Sequence, residues 1–354
     1  MTDHTSHVRT PPPGMDFSLL FFANRAADDP PAEYELLFRA VDFADEHGFT
    51  AVWLPERHFH PFGGSYPNPA LAAAALAART RRVRLRAGSV VLPLHDPLTV
   101  VENWAVVDNI SGGRVDLALA TGWNPDDFVL APDRFADRRA RTTGQLPLLR
   151  DLWAGRTTTL RNGVGADTAV RTYPRPVQSD LDLWLTCSAN TASFEQAGAL
   201  GLNVLTALLL LNTAELAPRI AAYRAARERH GHDPDTGRVT TMVHTFVGES
   251  DRAVREVVRT PFLKYLESSV DLWKEQWPEL ARHQGPQLLD HAFERYFRTA
   301  SMLGSVPKAT AFVGELAAMG VDEVACLIDF GVPDGATLDA LPYLDQVRRA
   351  FQPG

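Results

Sequence analysis

Cysteine is scarce in this chain: Cys187 and Cys326 are the only two among 354 residues. Each lies in an apolar run with the composition of a strand, which indicates reduced thiols in a protein core rather than a disulfide framework. The sequence also contains no cluster of cysteines and no His/Glu pair at helical metal-binding spacing. It therefore predicts no metal site.

Long apolar runs and an excess of positive charge are missing as well. The longest aliphatic run, residues 204–211, is interrupted by Thr206 and is far shorter than a membrane-spanning helix. The formal net charge of −8 argues against nucleic acid or an anionic membrane as a partner. The first residues have no apolar signal-peptide core, so we expect a disordered lead-in over 1–14 and a cytoplasmic protein.

Several common catalytic signatures are absent: the chain has no G-x-S-x-G elbow, no G-x-G-x-x-G and no P-loop. What it does contain is a series of eight strand–helix units. Eight units over this length predict a single α/β domain over 15–354, a (β/α)8 TIM barrel, with a doubly wound sheet as the alternative. Residues 271–306 break the repeat, so we expect a helical insertion there, before the last strand. This insertion forms either part of a substrate entrance or a packing arm of an oligomer.

The clearest of these units covers residues 83–125. Aliphatic and β-branched residues predict a strand at each end of it. Between the strands, Asp96 can cap a helix that begins at Pro97 and ends at Gly112. A strand, a crossover helix and a second strand imply parallel pairing, and ligands bind at the carboxyl ends of such strands.

Ionisable side chains follow three of the predicted strands. Glu56, Arg57 and His58 come directly after the second strand, which is typical of a catalytic site, although an ion pair that only fixes the loop is the alternative. His95 and Asn124 follow the third and fourth strands, and bracing of a loop is the alternative role of His95. We take all five as candidate catalytic residues.

Small residues near two of the strand ends suggest a place for a flat ring. Glycine allows unusual backbone geometry, so Gly88 and Ser89 in the third strand can press the backbone against such a ring. Thr121, Gly122 and Trp123 follow the fourth strand at once. They can contribute binding groups and keep water out of the site.

A phosphate site is predicted where the fifth strand leads into a helix. Ser188, Asn190 and Thr191 combine hydroxyl and amide groups with the free amides of a helix start. An ordinary helix cap is the alternative. Arg139 or Arg141, on the helix after the fourth strand, can serve as a counter-ion, or both can be solvated surface arginines.

Four segments of the chain resemble, in their order and spacing, the bacterial luciferase-like flavin-dependent monooxygenases. They are VWLPERHFHPFGGSYPNP, GSVVLPLHDP, SGGRVDLALATGW and LWLTCSANTASFEQAGALG. The resemblance covers the chain after Gly14 and is greatest to the MupA-like branch, found beside polyketide and nonribosomal peptide synthases. It implies a (β/α)8 barrel, reduced FMN from a separate flavin reductase, and O2 as co-substrate.

The resemblance also implies roles for individual residues. Gly88-Ser89 matches a non-proline cis peptide that supports the flavin ring, and Thr121 matches a position at the flavin edge. Arg139, Ser188 and Thr191 match positions that hold the flavin phosphate.

One departure from the family pattern lies in the loop after the second strand. Arg57 stands where luciferase has its catalytic histidine, and His58 retains the histidine that follows. This difference speaks against aldehyde oxidation with light emission and favours hydroxylation of another substrate, with Arg57 and His58 acting on an anion or on a proton.

The resulting hypothesis is a two-component FMN-dependent monooxygenase that hydroxylates an intermediate of natural-product, for example antibiotic, biosynthesis. The substrate is a small molecule or a chain tethered to a carrier protein, and we expect a homodimer. Two alternatives are a deazaflavin (F420)-dependent dehydrogenase on the same barrel and a non-catalytic flavin-binding protein.

Overall fold

The predicted strands are present in the structure, a computed structural model that describes residues 14–22, 30–188, 190–208, 213–273 and 286–352. The strands are β1 (Asp16–Leu20), β2 (Ala51–Leu54), β3 (Arg84–Val91), β4 (Val115–Ala120), β5 (Thr158–Arg161), β6 (Asp167–Val170), β7 (Leu183–Thr186), β8 (Asn203–Ala207), β9 (Val239–Gly248), β10 (Met302–Ser305) and β11 (Glu323–Leu327).

Eight of these strands close into a parallel barrel. Their order is β11-β1-β2-β3-β4-β7-β8-β9, and β9 pairs again with β11. The strands are almost entirely buried because they are covered by helices outside and by side chains inside, which explains their aliphatic composition. The predicted fold class, a (β/α)8 barrel, is confirmed.

Helices alternate with the barrel strands. They are α1 (Pro30–His47), α2 (Pro69–Ala77), α3 (Pro97–Ser111), α4 (Arg138–Trp153), α5 (Thr191–Ala199), α6 (Thr213–Arg229), α7 (Asp251–Trp273), α8 (Pro286–Thr299), α9 (Val306–Ala318) and α10 (Asp334–Arg349). The predicted limits of α3 are confirmed: the Asp96 side chain accepts a hydrogen bond from Leu98 N, and Gly112 ends the helix with a φ of 71°. Within the described residues, no helix is long and apolar enough to cross a membrane.

Two short structures differ from the sequence-based expectation. The segment 271–306 is not helical throughout, because its last residues form β10, which pairs in parallel with the end of β9. The excursion after α4 contains an antiparallel hairpin of β5 and β6. Residues 274–285, and the predicted lead-in apart from Gly14, lie outside the described residues.

The amino-terminal half of the barrel interior is filled by a charged and aromatic layer. The Arg86 guanidinium lies between the rings of Trp53 and Trp184, 4.8 and 4.7 Å from their centroids. It donates hydrogen bonds to Asp116 and to Glu323, both at 2.7 Å. This layer closes the barrel from below, so that a cavity is left at the carboxyl ends of the strands.

The two cysteines are buried and unpaired, as predicted. Cys326 lies in β11, and Cys187 follows β7 at the cavity wall. Burial raises the pKa of the Cys187 thiol to about 12, so this residue is a core thiol rather than a nucleophile.

Candidate active site

A cavity of about 270 Å³ lies at the carboxyl ends of the barrel strands. Its walls are formed by Leu20, Phe22, Arg57, Gly88, Ser89, Ala120, Thr121, Gly122, Trp123, Thr186, Cys187, Ser188, Leu205, Thr206, Ala207 and Met242. The described part of the lining is therefore mostly apolar, with hydroxyl groups from several strands and one charged side chain. Such a combination suits a flat heteroaromatic ligand that makes few polar contacts.

One wall of the cavity is the carboxyl half of β3. The Gly88–Ser89 peptide bond is cis, as the family resemblance implied. A Cβ atom on Gly88 would lie 3.1 Å from Trp53 Cβ, so a larger residue would be tightly packed there. The Ser89 hydroxyl forms a short hydrogen bond with the Thr186 hydroxyl on β7. Two strands that are not adjacent in the barrel are thus joined at the cavity.

The loop after β4 forms a second wall. Thr121, Gly122 and Trp123 all line the cavity. Gly122 has a φ of 75°, and a Cβ atom there would lie 2.7 Å from the Phe128 ring, so the turn requires glycine. Its carbonyl oxygen accepts a hydrogen bond of 2.9 Å from Arg138 Nε, which holds the loop against α4.

The predicted phosphate residues lie at the start of α5. Asn190 is the N-cap, and its side chain accepts a hydrogen bond from Ala192 N. Ser188, which lines the cavity, and Thr191, the first helical residue, are both exposed. The cavity therefore extends toward the helix start, whose free amides favour an anion.

The two arginines of α4 considered as counter-ions have different surroundings. Arg141 Nε lies 2.7 Å from Asp137 Oδ1 and is thus already paired. Arg139 is exposed and does not line the cavity. Its predicted contact with a phosphate stays a prediction. Of the two arginines, it is the one without a carboxylate partner among the described residues.

Glu56 joins the loops that follow β2 and β3. Its Oε1 atom lies 2.9 Å from His58 Nε2 and 2.5 Å from His95 Nε2. Its Oε2 atom accepts a hydrogen bond of 2.7 Å from Val91 N. Burial alone raises the pKa of this carboxyl, but the hydrogen bonds from His58 and His95 outweigh it and hold the pKa below its usual range. Three of the five candidate catalytic residues are therefore one hydrogen-bonded group, in which a proton can pass between the two imidazoles and the carboxylate.

Arg57 lines the cavity and is only 8% exposed. Its guanidinium carbon lies 5.5 Å from the ring centroids of both Phe22 and Trp123. Its Nε atom is buried and has no hydrogen-bond partner among the residues that the structure describes. Burial lowers the pKa of this guanidinium, and Asp127 only partly opposes the effect. Arginine remains a cation under these conditions.

Asn124 lies beside the cavity and holds a carboxylate that sequence reasoning missed. Its Nδ2 atom donates 3.0 Å to Asp127 Oδ1, and its Oδ1 atom accepts from Asp126 N. Burial raises the pKa of the Asp127 carboxyl, although Arg57 and His58 act in the opposite direction. Asn124 thus holds the Asp127 side chain by a hydrogen bond, and its catalytic role stays a prediction.

Other residues at the site were also missed. Thr186 and Thr206 bring hydroxyl groups to the cavity, and the buried Thr206 Oγ1 atom has no hydrogen-bond partner in the described part of the chain. The sequence signal was available, because Thr206 interrupts an aliphatic run and Thr186 ends a buried strand. Met242 lines the cavity from the middle of β9, where no change of composition marks it.

With this geometry established, the family can be assigned. Residues 15–323 match the family model described as luciferase-like monooxygenase. The chain belongs to the luciferase-like monooxygenase family. The enzyme class expected from the motifs is thereby confirmed, and the MupA-like branch stays a prediction.

Two curated relatives illustrate the range of this family. The chain is 27% identical over 333 residues to the "flavin-dependent trigonelline monooxygenase, oxygenase component" of Acinetobacter baylyi, with 90% of each chain covered. It is 34% identical over 115 residues to the 4-hydroxyprotoasukamycin monooxygenase of Streptomyces nodosus subsp. asukaensis. The aligned residues cover 32% of this chain and 31% of that relative.

Two solved structures show the same fold. The oxygenating constituent of 3,6-diketocamphane monooxygenase from Pseudomonas putida, in complex with FMN, superimposes with a TM-score of 0.79 and 16% identity over 96% of this chain and 99% of that one. An F420-dependent secondary alcohol dehydrogenase superimposes with a TM-score of 0.69 and 14% identity over 96% of this chain and 100% of that one. At such identities the likeness concerns the fold alone.

Proposed function

We propose that the protein is the oxygenase component of a two-component, FMN-dependent monooxygenase that hydroxylates a natural-product intermediate. The observation that carries the proposal is the cavity at the barrel mouth in a chain of the luciferase-like monooxygenase family. A relative named as an oxygenase component supports a separate flavin reductase. A relative named 4-hydroxyprotoasukamycin monooxygenase supports a natural-product substrate.

The residues at the cavity fit a flavin. Its flat ring needs apolar walls, which Leu20, Ala120 and Met242 provide, and a few polar groups at the ring edge. Thr206 offers such a group, because its buried hydroxyl has no hydrogen-bond partner among the described residues. Ser89, Thr121, Gly122 and Trp123 would contact the ring. Ser188, Asn190 and Thr191 with Arg139 would hold the phosphate.

In the proposed reaction, reduced FMN supplies two electrons, one atom of O2 enters the substrate as a hydroxyl group, and the other leaves as water. The protein's own residues exclude bulk water and manage protons. Trp123 and Phe22 shield the cavity. The hydrogen-bonded group of Glu56, His58 and His95 can hold a proton next to Arg57 and deliver it to a departing oxygen.

A test of this function is to mix the anaerobic protein–reduced FMN complex rapidly with oxygenated buffer. An oxygenase that protects the activated cofactor gives an absorbance transient that outlasts the decay of free reduced FMN in the same buffer. In parallel, hydrogen peroxide release is measured. A reaction indistinguishable from free reduced FMN, with full release of peroxide, contradicts the proposal.

The deazaflavin-dependent dehydrogenase is a second candidate because one structural neighbour binds F420. The two functions separate on oxygen dependence: a dehydrogenase transfers hydride under anaerobic conditions, whereas the proposed oxygenase consumes O2. Tight binding of reduced F420 with weak binding of reduced FMN would favour this second candidate. Flavin binding without any turnover would favour a binding protein.

A further inference from the structure

Among the described residues that line the cavity, Arg57 is the one charged side chain. All other lining groups are apolar, or carry a hydroxyl, a thiol or an indole. A full positive charge in such surroundings is costly unless an anion accompanies it. The anion that neutralises this charge is therefore part of either the ligand or a neighbouring side chain.

No side chain of the described residues supplies it. Arg57 has no carboxylate within salt-bridge distance in the described part of the chain, and its buried Nε atom has no hydrogen-bond partner. Asp127 interacts with it electrostatically but accepts its hydrogen bond from Asn124. The donors of the guanidinium therefore remain available to the cavity.

The position of Arg57 is fixed by its surroundings. Its backbone N–H donates 3.1 Å to the Tyr66 carbonyl oxygen. Gly63 packs against its side chain so closely that a Cβ atom there would lie 2.9 Å from both Cδ and Nε of Arg57. The rings of Phe22 and Phe62 lie 5.5 and 5.8 Å from the guanidinium carbon. A guanidinium held in this way loses little rotational freedom when it binds a ligand.

Tyr265 of α7 and Arg57 both lie beside the Phe62 ring, although Tyr265 is not among the described residues that line the cavity. Tyr265 is 1% exposed, interacts electrostatically with Arg57, and packs 5.4 Å from the Phe62 ring. Burial raises the pKa of its phenol, so the hydroxyl keeps its proton and can donate it in a hydrogen bond. Phe62 thus contacts both residues.

We propose that Arg57, assisted by the Tyr265 hydroxyl, binds an acidic oxygen of the substrate, so that the substrate is a planar aromatic or conjugated acid, as a carboxylate or phenolate. Phe22, Phe62 and Trp123 around the guanidinium favour a flat apolar body next to that oxygen. The inference rests on the proposed function only in that the bound anion is the molecule to be oxidised.

The test uses a matched pair of planar probes, cinnamate and cinnamamide, which have nearly the same shape and differ in charge. Each is titrated by calorimetry into the protein loaded with oxidised FMN. We expect cinnamate to bind about tenfold to a hundredfold more tightly than cinnamamide, as expected for charge-assisted hydrogen bonds. Equal affinities, or no binding of cinnamate, overturn the inference.

Variants identify the group responsible for the preference. Arg57→Met should abolish it, Arg57→Lys should retain part of it, and Tyr265→Phe should reduce it about threefold to tenfold, the value of one neutral hydrogen bond. Arg141→Met, at an exposed arginine paired with Asp137, is the control and should change nothing.

A preference for cinnamate that survives in Arg57→Met contradicts the assignment. Should this variant not fold, an undiminished preference in Arg57→Lys, which loses the fork of donors, contradicts it equally.

The same anion-binding chemistry could serve the reduced flavin ring instead of the substrate. In that case Arg57→Met weakens reduced FMN binding but not oxidised FMN binding, and the wild-type protein shows no preference for cinnamate, which overturns the inference. Probe binding requires no turnover. A protein that prefers cinnamate but does not consume oxygen therefore disproves the proposed oxygenase function and leaves the anion site intact.

Discussion

At the scale of single residues, the site combines ionisable groups whose charges depend on one another. The Glu56 carboxylate is shared by two imidazoles, and Arg57 follows it in the chain without joining the hydrogen bonds. Loops at the mouth of a barrel tolerate such polar clusters because the strands below supply the stability. The contribution of these groups to stability should therefore depend on pH, and this dependence should appear in unfolding measurements.

Glu56→Gln should make the acid branch of stability shallower. The folded pKa of Glu56 lies below its ordinary value of 4.5, so its contribution is complete above that value and is lost as the pH falls through the folded pKa. Near neutral pH we expect the variant to lose about 1–3 kcal/mol in the free energy of unfolding. Urea unfolding from neutral pH to about pH 3 measures both effects. Glu46→Gln, at an exposed position, is the control, and an equally steep acid branch in Glu56→Gln would contradict the argument.

His244 should contribute to acid sensitivity at a higher pH. It is enclosed by the rings of Phe262, Tyr265, Tyr296 and Phe330, with centroids at 4.9 to 5.8 Å, and burial lowers its pKa from 6.5 to about 3. The unfolded chain binds a proton below pH 6.5 whereas the folded chain does not, so stability falls by up to about 1.4 kcal/mol per pH unit there. His244→Phe should remove this slope between the two values. If wild type and variant lose the same free energy from pH 6.5 to about pH 5, the imidazole is not held neutral.

At the scale of elements, the barrel strands were predictable and the short additions were not. β2 and β4 begin and end where the sequence predicts them, because a strand buried on both faces is mostly apolar, and Asp116 in β4 is the exception. β10 contains only four residues, one of them Gly304, and it exists because the end of β9 is available for pairing. Such a long-range contact has no local sequence signal.

In the candidate site, the residues at strand ends were predictable from the sequence, whereas a residue contributed by a packed helix was not. Arg57, Ser89 and Thr121 lie at strand ends, and barrel topology brings all strand ends together. Tyr265 lies in the middle of α7, where a tyrosine has the composition of an ordinary packed helix. Its approach to Arg57 depends on how α7 packs against the barrel mouth, which periodicity does not specify.

The start of α5 gives a prediction about the phosphate. If Ser188, Thr191 and Arg139 hold it, Arg139→Ala should weaken FMN binding about tenfold to a hundredfold, because one charge-assisted contact is lost. Riboflavin, which has no phosphate, should bind the variant and wild type equally. Fluorescence titration of both flavins measures the difference. Arg141→Ala, on the same helix but paired with Asp137, is the charge-matched control, and a parallel loss for FMN and riboflavin would refute the phosphate contact.

At the scale of the whole molecule, the two ends of the barrel have separate tasks. The carboxyl end carries the cavity, whereas the amino end carries the buried layer of Arg86, Asp116 and Glu323. Trp53 connects the ends: its ring stacks on Arg86, and its side chain packs against Gly88 at the cavity wall. Trp53 Nε1 also donates 3.1 Å to Glu323 Oε1, which fixes the ring. The floor of the cavity is therefore supported by the charged layer.

Arg86→Met tests this division. Burial opposes the charge on Arg86, but Glu323 and Asp116 more than offset the effect and raise the pKa of the guanidinium. Removing it leaves the buried Glu323 without its main partner and Asp116 with only Arg84, so we expect a loss of about 3–5 kcal/mol in the free energy of unfolding. The matched control is Arg79→Met, whose pair with Asp42 is exposed and should be worth less than about 1 kcal/mol.

The affinity of Arg86→Met for FMN, measured below the unfolding transition, should change little, because Trp53 keeps its hydrogen bonds to Ser18 and Glu323. A variant that is as stable as wild type, or one that stays folded but no longer binds FMN, would show that the two ends are not separate in this way.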